Sequence, residues 1–224
     1  MIPANQTFPF LGPYTPGIDV SHFQGSIDWA QVKASGIQFA YLKATDGATG
    51  RDPMFDKNAV GCLSAGIPFG AYHFFRPSED PEAQAHNFLF MPLVRATLPP
   101  ALDVEISPVT IDQIQHWLSL VEDGYPTPEL QSGESMQPII YCSPAFARQF
   151  LPSAALGDGF FDEYALWVAE YTSKPAPDTA QWKDWEFWQY SANGRIAGIS
   201  TPVDLDWFHG TVEDLKARFS IKST

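Results

Sequence analysis

Two acids one residue apart, Asp103 and Glu105, stand in the run LPPALDVEISP, between prolines and inside an otherwise apolar stretch. A strand sends alternate residues to opposite faces, so both carboxyls share a face with Ala101, while Leu102, Val104 and Ile106 take the other. Burying two like charges side by side is costly unless something uses them. The chemistry that uses such a pair is cleavage of a glycosidic bond. One acid, held protonated by its neighbours, donates to the leaving oxygen; the other stays ionised and supports the cationic sugar. Residues two apart in a strand lie about 6–7 Å apart along the backbone. That falls between the about 5–5.5 Å of direct nucleophilic mechanisms and the wider gap of inverting ones, so spacing leaves the stereochemistry open. Two more acids sit in short apolar runs, Asp19 in GIDVS and Asp204 in VDLDWF. Clustered acids also bind hard cations, but no histidine joins these four in a recognisable motif, and neither a metal nor a cofactor is expected.

The elements that must position these acids follow from the punctuation of the chain. Strands are expected at 17–21, 37–45 and 68–75, then in PALDVEI and IIYCS, and finally at 165–171, 185–191 and 203–208. Between the earlier strands lie helices: IDWAQVKASG closed by Gly36, DPMFDKNAVGCLSAG starting at an Asp-Pro, and a third ended or kinked near Pro92. The clearest is TIDQIQHWLSLVEDG, where Thr110 and Gln113 form a capping box and Ile111, Ile114, Trp117, Leu118 and Val121 line one face. PAFARQFL is a brief fifth helix, only loops separate the last three strands, and TVEDLKARF closes the chain. Five strand–helix alternations followed by three strands imply a mostly parallel sheet with helices outside. Eight strands can close, so a single-domain α/β fold, an irregular TIM-like barrel, is the economical solution. An open doubly wound sheet is the alternative, but no glycine-rich phosphate loop follows the first strand. In β/α barrels working residues gather where strands end. Asp19 comes late in the first strand, Asp103 and Glu105 end the fourth, and Asp204 starts or lines the eighth, which neighbours the first.

Composition removes several function classes. The 224 residues carry a formal net charge of -13 and a pI near 4.6, so a nucleic-acid partner and an anionic membrane surface are both disfavoured. Aromatics reach 14%, which serves core filling or the stacking of ring faces on sugars. Cys62 and Cys142 lack metal-ligand spacing and lie in apolar stretches, which suits reduced core thiols. No stretch is long and apolar enough to span a membrane. The segment MIPANQTFPFLGPYTPG lacks a basic region and does not read as a secretory signal.

The segments GIDVSHFQGSIDW, FAYLKATDG, GAYHFF, ALDVE, PIIYCS, LWVAEY, FWQYS and VDLDWF occur in that order. Together they resemble the family-25 glycoside hydrolases, the Chalaropsis-type lysozymes of phages, bacteria and fungi, from Gly17 to about Gly210. The resemblance implies a flattened (β/α)5(β)3 barrel, with an N-terminal extension (1–16) ahead of a catalytic domain (17–224). It also implies N-acetylmuramidase activity, hydrolysis of the β-1,4 bond from N-acetylmuramic acid to N-acetylglucosamine in peptidoglycan. Glu105 is then the general acid, with Asp103 as nucleophile or as orienter of the substrate's acetamido group, and Asp19 and Asp204 complete an acidic floor. Tyr72, Tyr141, Trp167 and Gln189 match positions near the pocket and are substrate-binding candidates. Lys43, on an apolar strand, is expected to pair with one of the acids and keep it ionised. His73, between aromatics in AYHFF, reads as a satisfied core histidine. Two positions depart from the family: Asp46 stands where Glu is usual, and Asp206 where Asn is common. Alternation puts Asp204 and Asp206 on one strand face, and Asp204 is the expected cleft residue.

The expected partner is a peptidoglycan glycan strand, bound by a monomer that acts on the cell wall, extracellular or periplasmic, through holin-type release or dedicated secretion. Specificity is expected within this one module, aided by the N-terminal stretch or the 124–138 loop. A chitinase-like N-acetylglucosaminidase and a non-catalytic wall-binding module are the alternatives; the presence of all four acids disfavours the second.

Overall fold

The alternation of short apolar runs with amphipathic segments is realised in a computed structural model that describes residues 13–126, 136–151 and 160–219. Its strands are β1 (Thr15–Val20), β2 (Phe39–Asp46), β3 (Gly50–Arg51), β4 (Phe69–Phe74), β5 (Ala101–Asp103), β6 (Ile139–Cys142), β7 (Leu166–Ala169), β8 (Phe187–Gly194) and β9 (Val203–Phe208). Its helices are α1 (Trp29–Ala34), α2 (Phe55–Ala65), α3 (Pro81–Leu89), α4 (Ile111–Gly124), α5 (Pro144–Phe150), α6 (Phe160–Glu163) and α7 (Val212–Arg218). Eight strands form one closed wall in the order β1-β2-β4-β5-β6-β7-β8-β9, with β9 returning to β1. Pairing is parallel from β1 round to β8 and antiparallel where β9 meets its two neighbours. Five β–α units and three further strands thus make the expected single-domain barrel.

Alternation along each strand separates two apolar layers. The inward layer is aromatic, with Phe39, Tyr41, Tyr72, Tyr141, Trp167 and Phe187 filling the barrel. Tyr41 stacks on Trp167 at 4.5 Å between ring centroids. Room for these rings comes from positions without a side chain: a Cβ on Gly17 would stand 2.2 Å from the Phe39 ring. The outward layer, Val32, Phe88, Ile114, Trp117 and Leu118 among others, packs the sheet against the helices. His73 belongs there. It is fully buried, bonded through Nδ1 to Thr45 and through Nε2 to Gln84, and stacked on Trp117. Burial pushes its pKa down to about 4, which keeps it neutral near pH 7.

Helix starts follow their caps. Thr110 and Gln113 make both bonds of the capping box that opens α4. Ser143, followed by Pro144, caps α5 through the Phe146 N–H. The Asp-Pro start expected for the second helix is not used: α2 begins at Phe55 with no side-chain cap. Asp52 divides its carboxylate: Oδ1 accepts from the Met54 N–H at 2.9 Å, while Oδ2 accepts from the backbone N–H of His22 at 2.9 Å and faces the His22 ring at 2.7 Å. That carboxylate ties the loop after β1 to the loop before α2. β1 also begins at Thr15, two residues earlier than its sequence pattern, because Thr15 pairs with Phe208 of β9. Residues 1–12 and 127–135, which include most of the N-terminal stretch and of the 124–138 loop, lie outside the described residues. Among the described residues no helix is long and apolar enough to cross a membrane.

Candidate active site

The strand ends converge on one open hollow of about 210 Å³, lined by Asp19, Lys43, Tyr72, Asp103, Glu105, Tyr141, Trp167, Gln189 and Asp204 among others. Each arrives by a simple rule. Asp19 and Asp204 are direct partners across the antiparallel β1–β9 pair, and such partners share a face. Because β9 runs backwards relative to the other strands, its first residues reach the rim where β1 ends. Asp103 is the last residue of β5, opposite Tyr141 of β6. Glu105 lies two positions on, where the alternation persists: Leu102 and Val104 are fully buried in the outward layer. The strand itself stops at Asp103. Asp103 is therefore 6% exposed, whereas Glu105 rises above the rim and is exposed. Only one member of the pair is buried, which corrects the expectation of two.

A fixed hydrogen-bond chain holds the floor. The Gln189 amide nitrogen donates to Asp19 Oδ2 at 2.8 Å, while the Gln189 carbonyl oxygen accepts from Tyr141 at 2.9 Å and from Tyr171 at 2.7 Å. Two phenols on one oxygen leave the amide a single orientation, with its NH2 toward Asp19. Trp167 Nε1 donates to Asp206 Oδ1 at 2.9 Å. Burial raises Asp103 well above the usual carboxylate range, the charges of Glu105 and Asp19 add to it, and Lys43 opposes. Asp19 is raised mainly by burial and then by Asp204. Asp204 is raised to about 6, by burial and then by Glu105. A cluster of carboxyls with such elevated affinities for protons is the electrostatic pattern of an acid–base site.

The sequence model for glycosyl hydrolases family 25 matches residues 18–199. The chain belongs to that family. This family-25 hydrolase is 34% identical over 213 residues to Lysozyme M1 of Streptomyces globisporus, covering 90% of this chain and 72% of the relative. It is 25% identical over 216 residues to the N,O-diacetylmuramidase of Chalaropsis sp., covering 89% and 96%. The crystal structure of the bacterial lysozyme from Streptomyces coelicolor aligns with a TM-score of 0.73 at 33% identity, covering 93% of this chain and 97% of that one. The protein is a glycoside hydrolase with lysozymes and muramidases as its relatives.

Within the family-25 hydrolase all nine sequence-predicted site residues line the one hollow, but the partner of Lys43 differs from expectation. Lys43 does not pair with any of the four floor acids. Its Nζ lies 2.7 Å from Asp46 Oδ2, and Asp46 also holds Arg76 at 2.6 Å. The carboxylate that stands in place of the usual Glu thus captures the lysine, whose charge reaches Asp103 only through space. Depth separates the two acids of β9, with Asp204 the one at the cleft as expected. Asp204 lines the hollow while Asp206, on the same strand face, is 0% exposed beneath it. Residues missed in the sequence include Phe74, Tyr171 and Phe23. Phe74 follows from stepping two beyond Tyr72, and Tyr171 from stepping four beyond Trp167. Phe23, 72% exposed beside the hollow, sits in a 3-10 turn and has no periodic signal.

Proposed function

We propose that this hydrolase is an N-acetylmuramidase, cleaving the β-1,4 bond between N-acetylmuramic acid and N-acetylglucosamine in peptidoglycan with Glu105 as general acid. The observation that carries the reading is the unequal pair in one hollow: a buried Asp103 beside an accessible Glu105. The names of its relatives, a lysozyme and an N,O-diacetylmuramidase, favour the same substrate.

The mechanism follows from where donors are missing. Asp103 Oδ1 is buried and receives no hydrogen bond among the described residues. Burial first, and then the adjacent Glu105, raises Asp103 well above the usual carboxylate range, so this drier acid holds the proton of the shared hydrogen bond. An acetamido N–H of the substrate arriving at Oδ1 stabilises the anionic form of Asp103. The shared proton is then left to Glu105, which faces the opening and donates it to the departing glycosidic oxygen. Asp103 acts as orienter of the acetamido group in this scheme. Asp19 and Asp204 supply negative potential for the oxocarbenium-like sugar, and Tyr72, Tyr141, Trp167, Gln189 and Lys43 shape the sugar subsite. No metal or cofactor enters. The protein acts as a monomer on the cell wall, outside the cytoplasm.

Purified walls incubated with the enzyme should lose turbidity and release fragments whose new reducing ends are N-acetylmuramic acid by mass spectrometry. New reducing ends of N-acetylglucosamine would overturn the bond assignment, and binding without released ends would overturn catalysis.

A further inference from the structure

Asp206 lies directly beneath the floor acids and was not part of the expected site. Its neighbours in register are Gly17 on β1 and Gln189 on β8. Trp167 serves Oδ1, while Oδ2 is buried and receives no hydrogen bond from a described donor. The carboxyl of Asp19 stands within hydrogen-bonding reach of the Asp206 carboxyl. The charges that act on Asp206 are acidic, Asp19 and Asp204.

Two touching carboxyls served by neutral donors cannot both ionise in a dry interior, so one proton sits between them. Which oxygen carries it follows from the surroundings. Asp19 is 6% exposed, borders the hollow and accepts from Gln189. Asp206 is fully sealed and has only the indole N–H. Charge belongs on the wetter, better-served group.

We propose that Asp206 is a positioning residue, a neutral carboxylic acid that donates from Oδ2 to Asp19 and holds that carboxylate as an anion aimed at the bound sugar. Burial and the Asp19 charge raise Asp206 well above the usual range; burial and Asp204 raise Asp19 too, and the hydrogen bonds from Gln189 and Asp206 offset part of that rise. The arrangement gives Asp19 two donors, Gln189 from β8 and Asp206 from β9, so its side chain is fixed before substrate arrives. What Asp19 acts on rests on the muramidase reading; where the proton sits does not.

The test uses the full chain and two variants. Asp206→Asn keeps an acceptor for Trp167 and an N–H donor for Asp19; Asp206→Leu keeps the branched skeleton, in a larger side chain, and removes both. Infrared difference spectra between wild type and Asp206→Asn at neutral pH should show loss of a protonated carboxylic acid carbonyl band. Turnover on walls should fall about 10- to 100-fold in Asp206→Leu, through kcat more than KM, and Asp206→Asn should restore most of it. Loss of a carboxylate band instead of an acid band, or an Asp206→Asn enzyme as slow as Asp206→Leu, overturns the proposal. If Asp206→Leu does not fold, the infrared comparison and the turnover of Asp206→Asn decide it. If wild type cleaves no wall at all, the muramidase reading fails while the infrared result still locates the proton.

Discussion

Removing the charge of Asp204 should make the protein more stable and less active. Burial and the nearby Glu105 hold this carboxyl at about 6 in the folded barrel, against about 3.9 in an unfolded chain. Two units amount to about 3 kcal/mol disfavouring the ionised folded state at neutral pH. Asp204 is partly exposed, and solvent screening reduces that figure to about 1–2 kcal/mol. The direction with pH is fixed by linkage. Below the unfolded value the group is neutral in both states and no penalty exists; the penalty grows as pH rises and is complete above the folded value. Asp204→Asn should therefore exceed wild type by about 1–2 kcal/mol at pH 7–8, or about 2–8 °C in Tm for a chain of this size. The two proteins should converge toward pH 4. Calorimetric melts across this range provide the measurement, with wall lysis by the same samples reporting the lost activity. Equal melting at pH 8, or an offset that persists unchanged at pH 4, refutes the electrostatic reasoning.

Glu105→Gln should leave the melting profile near wild type, since the side chain is exposed, while lowering kcat on walls by about 100- to 10,000-fold; retained activity would remove Glu105 from the proton-donor role. Gln189→Leu strands the Tyr141 and Tyr171 hydroxyls and one oxygen of Asp19. It should destabilise the barrel by about 1–3 kcal/mol in denaturant titrations, and an unchanged midpoint would mean water replaces the amide. Phe23→Ala should alter stability by less than about 0.5 kcal/mol but raise KM for wall fragments by about threefold to tenfold if the exposed ring stacks on sugar. An unaltered KM would make Phe23 a bystander.

Much of this architecture was legible because the pattern of apolar residues changes period where elements change. The eight wall strands and the capping box of α4 announce themselves in that way; Phe74 and Tyr171 obey the same alternation but were missed. Short elements escape. β3 has two residues, too few to alternate, and α6 has four. What alternation cannot supply is depth along the barrel axis. It assigns Asp204 and Asp206 to one face, yet their environments differ because one meets the opening and the other meets Trp167. Nor does it supply partners for long or distant side chains. Lys43 finds Asp46, three residues away beyond a register shift in β2, and Asp52, which also accepts from Met54 at the start of α2, reaches His22, 30 residues upstream.

The seam between β1 and β9 joins the two extremes of the described chain. While β9 is still inside the ribosome, Asp19 has been made but Asp204 and the last stave of the wall have not, and the sheet stands open. A partly translated molecule therefore has no assembled hollow and cannot cut glycan.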